Sequence, residues 1–323
     1  MNVLVTGGAG YIGSACVQEL IEQNHTVTVF DNLSEGHRAA VHPAANFVEG
    51  CLNQAEQSKD VVGRAAPEVV IHFAASALVE ESMKVPGKYF GNNVANGLNL
   101  LNACVQAQVR KIVFSSTCAT YGIPDRIPIS EDTPQQPINP YGESKLIFEK
   151  MLRWFHEIHG LQYVAFRYFN ACGATDRFGE HHRIETHLIP NVLKVALKQQ
   201  TSCKIFGTDY PTTDGTCVRD YIHIKDLATA HILASQSNLN GCYNLGTGKG
   251  YSVREVIAAC ELLTGAKIAV EEHDRRPGDP PKLVAAPSQA INALNWHPEF
   301  IAIERIVDTA WQWHKAHPNG YPH

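Results

Sequence analysis

The segment Gly7-Gly8-Ala9-Gly10-Tyr11-Ile12-Gly13 constrains this chain more than any other. It follows the apolar run Val3-Leu4-Val5, which reads as a β-strand, and precedes Ser14 to Gln23, where Cys16, Val17, Leu20 and Ile21 recur at helical spacing. Glycines at such a strand-to-helix turn keep side chains out of the way, so that amides at the helix N-terminus can approach a pyrophosphate. The spacing satisfies both G-x-G-x-x-G (8, 10, 13) and G-x-x-G-x-x-G (7, 10, 13). Asp31 stands at the end of the next predicted strand, Val27 to Phe30. A carboxylate there accepts from both hydroxyls of an adenosine ribose and repels a 2′-phosphate, which favours NAD over NADP.

Further β-branched runs, Val69 to Phe73, Ile112 to Phe114 and Tyr163 to Phe166, alternate with segments of helical length. That alternation predicts an α/β fold with a doubly wound parallel sheet, and near-continuous apolar strands such as Val69-Val70-Ile71 fit burial on both faces. From about residue 171 the character changes, with Gly, Pro and Thr clusters at 207–216 and 275–281 that read as loops of a smaller C-terminal α/β domain. A length of 323 residues leaves room for about two such units.

The balance of 27 basic and 32 acidic residues, with no long basic stretch, argues against nucleic acid as a partner. Nine scattered cysteines without a C-x-x-C pair suit a reduced, cytoplasmic protein. No run approaches the length of a membrane span. No metal site is predicted: the 16 histidines include His156-Glu157-Ile158-His159 and His181-His182, neither with H-E-x-x-H spacing.

Tyr141 and Lys145 share one face of a predicted helix that begins at Pro140. A tyrosine base working near neutrality needs its pKa brought from about 10 to about 7, which takes about 4 kcal/mol. An ammonium roughly 6 Å away supplies about 3 kcal/mol at an effective dielectric near 20. Phe114-Ser115-Ser116-Thr117 adds a hydroxyl cluster at the C-terminal end of a strand, where open α/β sheets bind ligands.

With these stretches the chain resembles the extended short-chain dehydrogenase/reductase family and, within it, the UDP-glucose 4-epimerases. The resemblance is carried by Val5 to Ser14, Asp31 to Leu33, His72 to Ala75, Phe114 to Thr117 and Tyr141 to Lys145, then by Arg167 to Asn170, Gly215 to His223, Tyr243 to Gly246 and Arg275 to Asp279. It implies a Rossmann domain over residues 1–170, with 217–247 returning to it, and a UDP-sugar-binding part mainly within 171–323. The implied catalytic residues are Tyr141, Lys145 and Thr117. For NAD it implies Gly7, Gly10, Tyr11, Ile12, Gly13, Asp31, Asn32, Cys51, Leu52, Phe73, Ala74, Ala75, Asn92, Ser115 and Tyr168, together with Tyr141 and Lys145. For the UDP-sugar it implies Thr117, Tyr141, Asn170, His187, Leu188, Phe206, Arg219, Arg276, Asp279 and Leu283. Arg219 and Arg276 suit two phosphates, Phe206 a stacked uracil and Asp279 the ribose hydroxyls. His187 alternatively reads as a helix cap and Phe206 as core.

Cys51-Leu52 replaces the family's Asp-Ile beside the adenine, and Ala77 replaces a lysine that some members carry near the nicotinamide. In related dehydratases and decarboxylases a Glu or an Asp-Glu pair follows the Thr, whereas here Thr117 is followed by Cys118, Ala119, Thr120 and Tyr121. A C4 ketone then has no acid to divert it, and hydride return is expected. Epimerisation of another UDP-sugar (N-acetylhexosamine, pentose or uronate), a sugar-nucleotide dehydrogenase and a non-enzymatic NAD sensor are the alternatives. A homodimer is expected through helices over Asn93 to Gln108 and Tyr141 to His159, whose apolar faces carry Leu100, Leu101 and Cys104, and Phe148, Met151, Leu152 and Phe155.

Overall fold

Parallel strands joined by helical crossovers bury both faces, so their residues must be apolar throughout. Leu4, Val5, Val70, Ile71, Ile112 and Val113 are all fully buried. In the computed structural model, which describes residues 1–276 and 278–322, seven such strands form one parallel sheet. They are β1 (Asn2–Thr6), β2 (Thr26–Asp31), β3 (Asn46–Glu49), β4 (Val69–His72), β5 (Lys111–Thr117), β6 (Gln162–Tyr168) and β10 (Gly241–Leu245), in the order β10-β6-β5-β4-β1-β2-β3. The order runs one way from β1 through β2 to β3 and the other way through β4. The switch point between β1 and β4, where ligands bind in such sheets, therefore lies at the Gly7 turn.

One face of the sheet packs on Cys16, Val17 and Leu20 of the Tyr11–Glu22 helix and on Leu227, Ala228 and Ile232 of the Ile224–Gln236 helix. The other face packs on Val61 and Val62, on Leu100, Leu101 and Cys104, and on Phe148 and Leu152. The apolar stripes expected to reach a dimer partner thus largely point into the chain's own core, because a helix laid on a sheet shows the same spacing. Leu98, Trp154 and Ile158 are the large apolar residues these two helices leave exposed, at 40%, 54% and 67%.

The five strands predicted from β-branched runs all form. β3 (Asn46–Glu49) leaves no such mark in the sequence, being a short, half-exposed edge strand with mixed residues, and the predicted Asn93 to Gln108 helix is a π turn over Phe90–Ala95 followed by an α-helix over Asn96–Gln106.

A second sheet joins β7 (Asn170–Cys172), β9 (Val218–His223), β11 (Gly250–Ser252) and β13 (Lys282–Leu283), and β8 (Cys203–Phe206) pairs with β12 (Val270–His273). Their core is shared with the helices Leu188–Ala196, Val253–Thr264 and Ile303–Ala316. Pro277, inside the Arg275 to Asp279 motif, lies outside the described residues. Among the described residues no helix is long and apolar enough to cross a membrane.

Candidate active site

Gly7 has φ 76°, and a Cβ there would sit 2.5 Å from the Ala74 amide nitrogen. A Cβ on Gly13 would meet the Gly7 carbonyl oxygen at 2.2 Å. These glycines let the turn press against β4 and its own helix, whereas the Cβ position of Gly10 is bounded only by the Gly7 oxygen at 3.3 Å. The Tyr11–Glu22 helix has no side-chain cap and no acidic residue in its first turn. The Tyr11 and Ile12 amides have no acceptor among the described residues, so the positive end of the helix faces an open side of the turn. This donor set fits the pyrophosphate of a dinucleotide.

Asp31 is 8% exposed and accepts one amide on each oxygen, from Ala9 at 3.0 Å and Leu33 at 2.8 Å. Each oxygen keeps lone-pair capacity for a ribose hydroxyl. Burial raises its pKa, and the amides of Leu33 and Ala9 oppose that. Asn32 Nδ2 touches Cys51 Sγ at 3.5 Å, and the Leu52 carbonyl accepts from Asn99 at 2.8 Å, which brings the expected adenine residues together. Phe73 packs against His231, ring centroids 4.8 Å apart, while Ala74 and Ala75 follow it off β4.

The Tyr–Lys helix spans Pro140–His159, with Pro140 in its first turn and Asn139 as N-cap, its side chain accepting from Gly142 N at 2.8 Å. A Cβ at Gly142 would lie 2.5 Å from the Ala119 oxygen, so this glycine lets the helix start lie against the short 3-10 helix Cys118–Tyr121 that follows Thr117. As a result the Thr117 side chain stands close enough to the Tyr141 phenol to lower its pKa. Lys145, 2% exposed, donates to the Ser115 carbonyl at 2.7 Å, with Nζ 5.9 Å from the Tyr141 ring centroid. Ser115 Oγ also bonds the Tyr168 hydroxyl.

The ammonium stands at the expected distance, yet the electrostatics differ from those drawn from sequence. Burial pushes the Tyr141 phenol up to about 12, the nearby Thr117 side chain only partly offsetting it. Burial likewise brings Lys145 down to about 7, against the pull of Glu149. The attraction between phenolate and ammonium favours a low tyrosine pKa, but the desolvation of both groups outweighs it here.

Several neighbours carried no signal of their own. Buried Asn93 accepts from Ser76 N at 2.8 Å and donates to Ser76 O at 3.0 Å and Ser144 Oγ at 2.9 Å. It ties the β4 loop to the Tyr–Lys helix, while the predicted Asn92 beside it donates to Ser76 Oγ at 3.1 Å. Glu149, one turn past Lys145, accepts from Ser116 Oγ at 2.5 Å and Arg167 NH2 at 2.7 Å, and Arg167 donates to Tyr121 at 2.9 Å. This buried pair fixes the strand end that carries Thr117. In sequence both residues resemble ordinary surface charges.

On the substrate side, β9 holds Arg219 beside Leu283 of β13, and both lie close to Cys118: Leu283 packs in the Cys118–Tyr121–Phe169 cluster, and the Arg219 charge acts on the Cys118 thiol. Arg219 donates to Asp279 Oδ1 at 2.5 Å, to Pro280 O at 2.8 Å and to Val218 O at 2.7 Å. Two residues expected to serve different parts of a nucleotide therefore meet as an ion pair. The Arg276 guanidinium sits 4.0 Å from the Phe206 ring centroid. Asn170 is half-buried in β7, next to Phe169 of the Leu283 cluster. His187 is the N-cap residue of Leu188–Ala196 without a side-chain cap bond, its ring bonded instead to Glu180, and Leu188 packs on the second core.

Residues 3–246 match the family model described as the NAD dependent epimerase/dehydratase family. The chain is 50% identical to a UDP-glucose 4-epimerase of Halalkalibacterium halodurans, covering 99% of this chain and 98% of that one, and 50% identical to one of Streptococcus mutans, covering 99% of each. Among solved structures, UDP-glucose 4-epimerase from Brucella ovis in complex with NAD superposes with a TM-score of 0.93 at 46% identity, covering 97% of this chain and 98% of that one. The glycine turn, the ribose-side carboxylate and the Tyr–Lys helix agree with these likenesses, and the chain belongs to the NAD-dependent epimerase/dehydratase family.

Proposed function

We infer that this chain interconverts UDP-glucose and UDP-galactose by inverting the sugar at C4, using bound NAD and no net redox change. The observation that carries the reading is the Thr117 side chain set beside a half-buried Tyr141, with Lys145 one turn on and no carboxylate from Cys118 to Tyr121. NAD, when bound, would supply the hydride acceptor and donor and, while oxidised, a positive charge that favours the phenolate. Tyr141 takes the proton of the 4-hydroxyl, and Thr117 shares that proton. Lys145 stabilises the phenolate and holds the nicotinamide ribose. Arg219 and Arg276 hold the diphosphate while the 4-keto sugar turns, Phe206 holds the base and Asp279 the ribose. Tyr141 then returns its proton to the same oxygen as C4 is reduced again from its opposite face.

In this reading residues 1–170 with 217–247 hold the cofactor, and the remainder of 171–323 grips the nucleotide. We further propose that the chain works as a homodimer in the cytoplasm. Incubation of the purified chain with UDP-galactose tests the activity. UDP-glucose forms without accumulation of free NADH, whereas NADH released in step with sugar oxidation would make it a dehydrogenase.

A further inference from the structure

Apart from the dinucleotide and proton-transfer residues, one group of side chains converges with the chemistry of a metal ligand set. The segment Glu180-x-His182-x-x-Glu185-x-His187 folds so that one ligand atom from each of these residues lies within 4.8 Å of the others. In a tetrahedral Zn²⁺ site with bonds of about 2.0–2.2 Å, neighbouring ligand atoms stand roughly 3.3–3.6 Å apart. His182 Nδ1 is 3.3 Å from Glu180 Oε1 and 3.4 Å from Glu185 Oε2, already at that spacing. His187 Nδ1 bonds Glu180 directly and is 4.0 Å from Glu185 Oε1. Two imidazole nitrogens and two carboxylates thus surround one point.

The two rings stand at 90° with centroids 5.0 Å apart, so both turn their Nδ1 edges toward the carboxylates instead of stacking. Each carboxylate side chain is only 5% exposed, and among the described ion pairs neither meets a lysine or arginine. Against the cost of burial, hydrogen bonds and charge from Glu180 and Glu185 raise His182 to about 10, and Glu180 carries His187 up as well; a divalent cation binding here displaces those imidazole protons, and the two carboxylates then match its charge. Such mixed imidazole and carboxylate sets suit zinc or a neighbouring transition metal, whereas magnesium and calcium favour all-oxygen sets.

We propose that Glu180, His182, Glu185 and His187 bind one divalent transition-metal ion, zinc by the character of the donors. The site is structural. The edge of the His182 ring lies against Tyr11, centroids 5.9 Å apart. Arg183 donates to the Ser34 carbonyl at 2.7 Å and the Leu33 carbonyl at 2.9 Å, and His187 begins the Leu188–Ala196 helix. A metal ion here clamps the loop that leads from β7 into that helix where it lies against Tyr11 and residues 33–34, and leaves His187 Nε2 outside the donor set. The cluster shares His187 with the UDP-sugar residues and adjoins Tyr11 of the NAD residues named above, so its test reads metal binding directly and not sugar turnover.

The test uses the full, tag-free chain, stripped with a chelator and titrated with Zn²⁺ alone against a chromophoric competitor. One ion per chain with a Kd below about 1 µM is expected, given the affinities of closed zinc sites. His182→Ala weakens it by about 100-fold or more, and Glu185→Gln by at least about 10-fold. Co²⁺ in the stripped wild type gives the visible absorption of a tetrahedral site, and His182→Ala loses it. Absence of stoichiometric Zn²⁺ in the wild type, or equal binding by wild type and both variants, overturns the proposal and leaves the cluster as an ion-pair network. If circular dichroism shows His182→Ala unfolded, Glu185→Gln and the wild-type stoichiometry decide.

Discussion

Lys145 is the residue whose surroundings most oppose its role. Its ordinary pKa of 10.5 is lowered to about 7 by burial, so folding confines an ammonium that the unfolded chain leaves in water. A cation with a depressed folded pKa destabilises fully below that pKa, and the penalty fades as pH rises through about 7 toward the unfolded value. Lys145→Met keeps the length of the stem and removes the charge. Its thermal midpoint, measured without cofactor by calorimetry, rises above wild type at about pH 6, by roughly 2–4 °C per kcal/mol relieved, and the gain shrinks toward about pH 10. A gain independent of pH would show that packing, not charge, is responsible. Tyr141→Phe removes the proton acceptor alone and lowers turnover by about 10²–10⁴-fold while NAD content of the purified chain stays unchanged. Unaltered turnover would remove the phenol from the chemistry.

At the scale of elements, short pairings set the pocket. β13 is only two residues long, yet its parallel register with β9 places Leu283 opposite Arg219 and against the small cluster that contains Cys118, the neighbour of Thr117. Leucine cannot bond the amide of a 2-acetamido group, and desolvating that amide costs roughly 1–3 kcal/mol. Plain UDP-hexoses are therefore preferred over UDP-N-acetylhexosamines by about 10- to 100-fold in kcat/KM, and Leu283→Ser narrows the ratio. Equal wild-type efficiency on both sugars would take Leu283 out of the gate. The start of the Tyr–Lys helix depends on Gly142 in the same local way, through its contact with the Ala119 backbone.

For the molecule as a whole, the helices Asn96–Gln106 and Pro140–His159 give most of their apolar stripe to the chain's own sheet. What they leave exposed, Leu98, Trp154 and Ile158, is still a surface that water solvates poorly. Light scattering at micromolar concentration is expected to give the mass of a dimer, and Trp154→Glu to shift it toward the monomer. A wild-type monomer would refute the assembly.

The glycine turn, Asp31 and the Tyr–Lys spacing were legible because each is local: a backbone that must approach another group, or two side chains one helical turn apart, leaves its mark within a few residues. The five β-branched runs were legible for the same reason, and they fixed the parallel sheet. What lay beyond the sequence depends on partners far along the chain. Glu149 and Arg167 meet 18 positions apart, Ser76 and Asn93 meet 17 apart, and Arg219 finds Asp279 60 positions on. Helical spacing by itself could not tell a core face from a dimer face, since both need the same stripe. The desolvation that sets Tyr141 and Lys145 likewise comes from the chain packed around them, and only the tertiary structure decides how far water is excluded there.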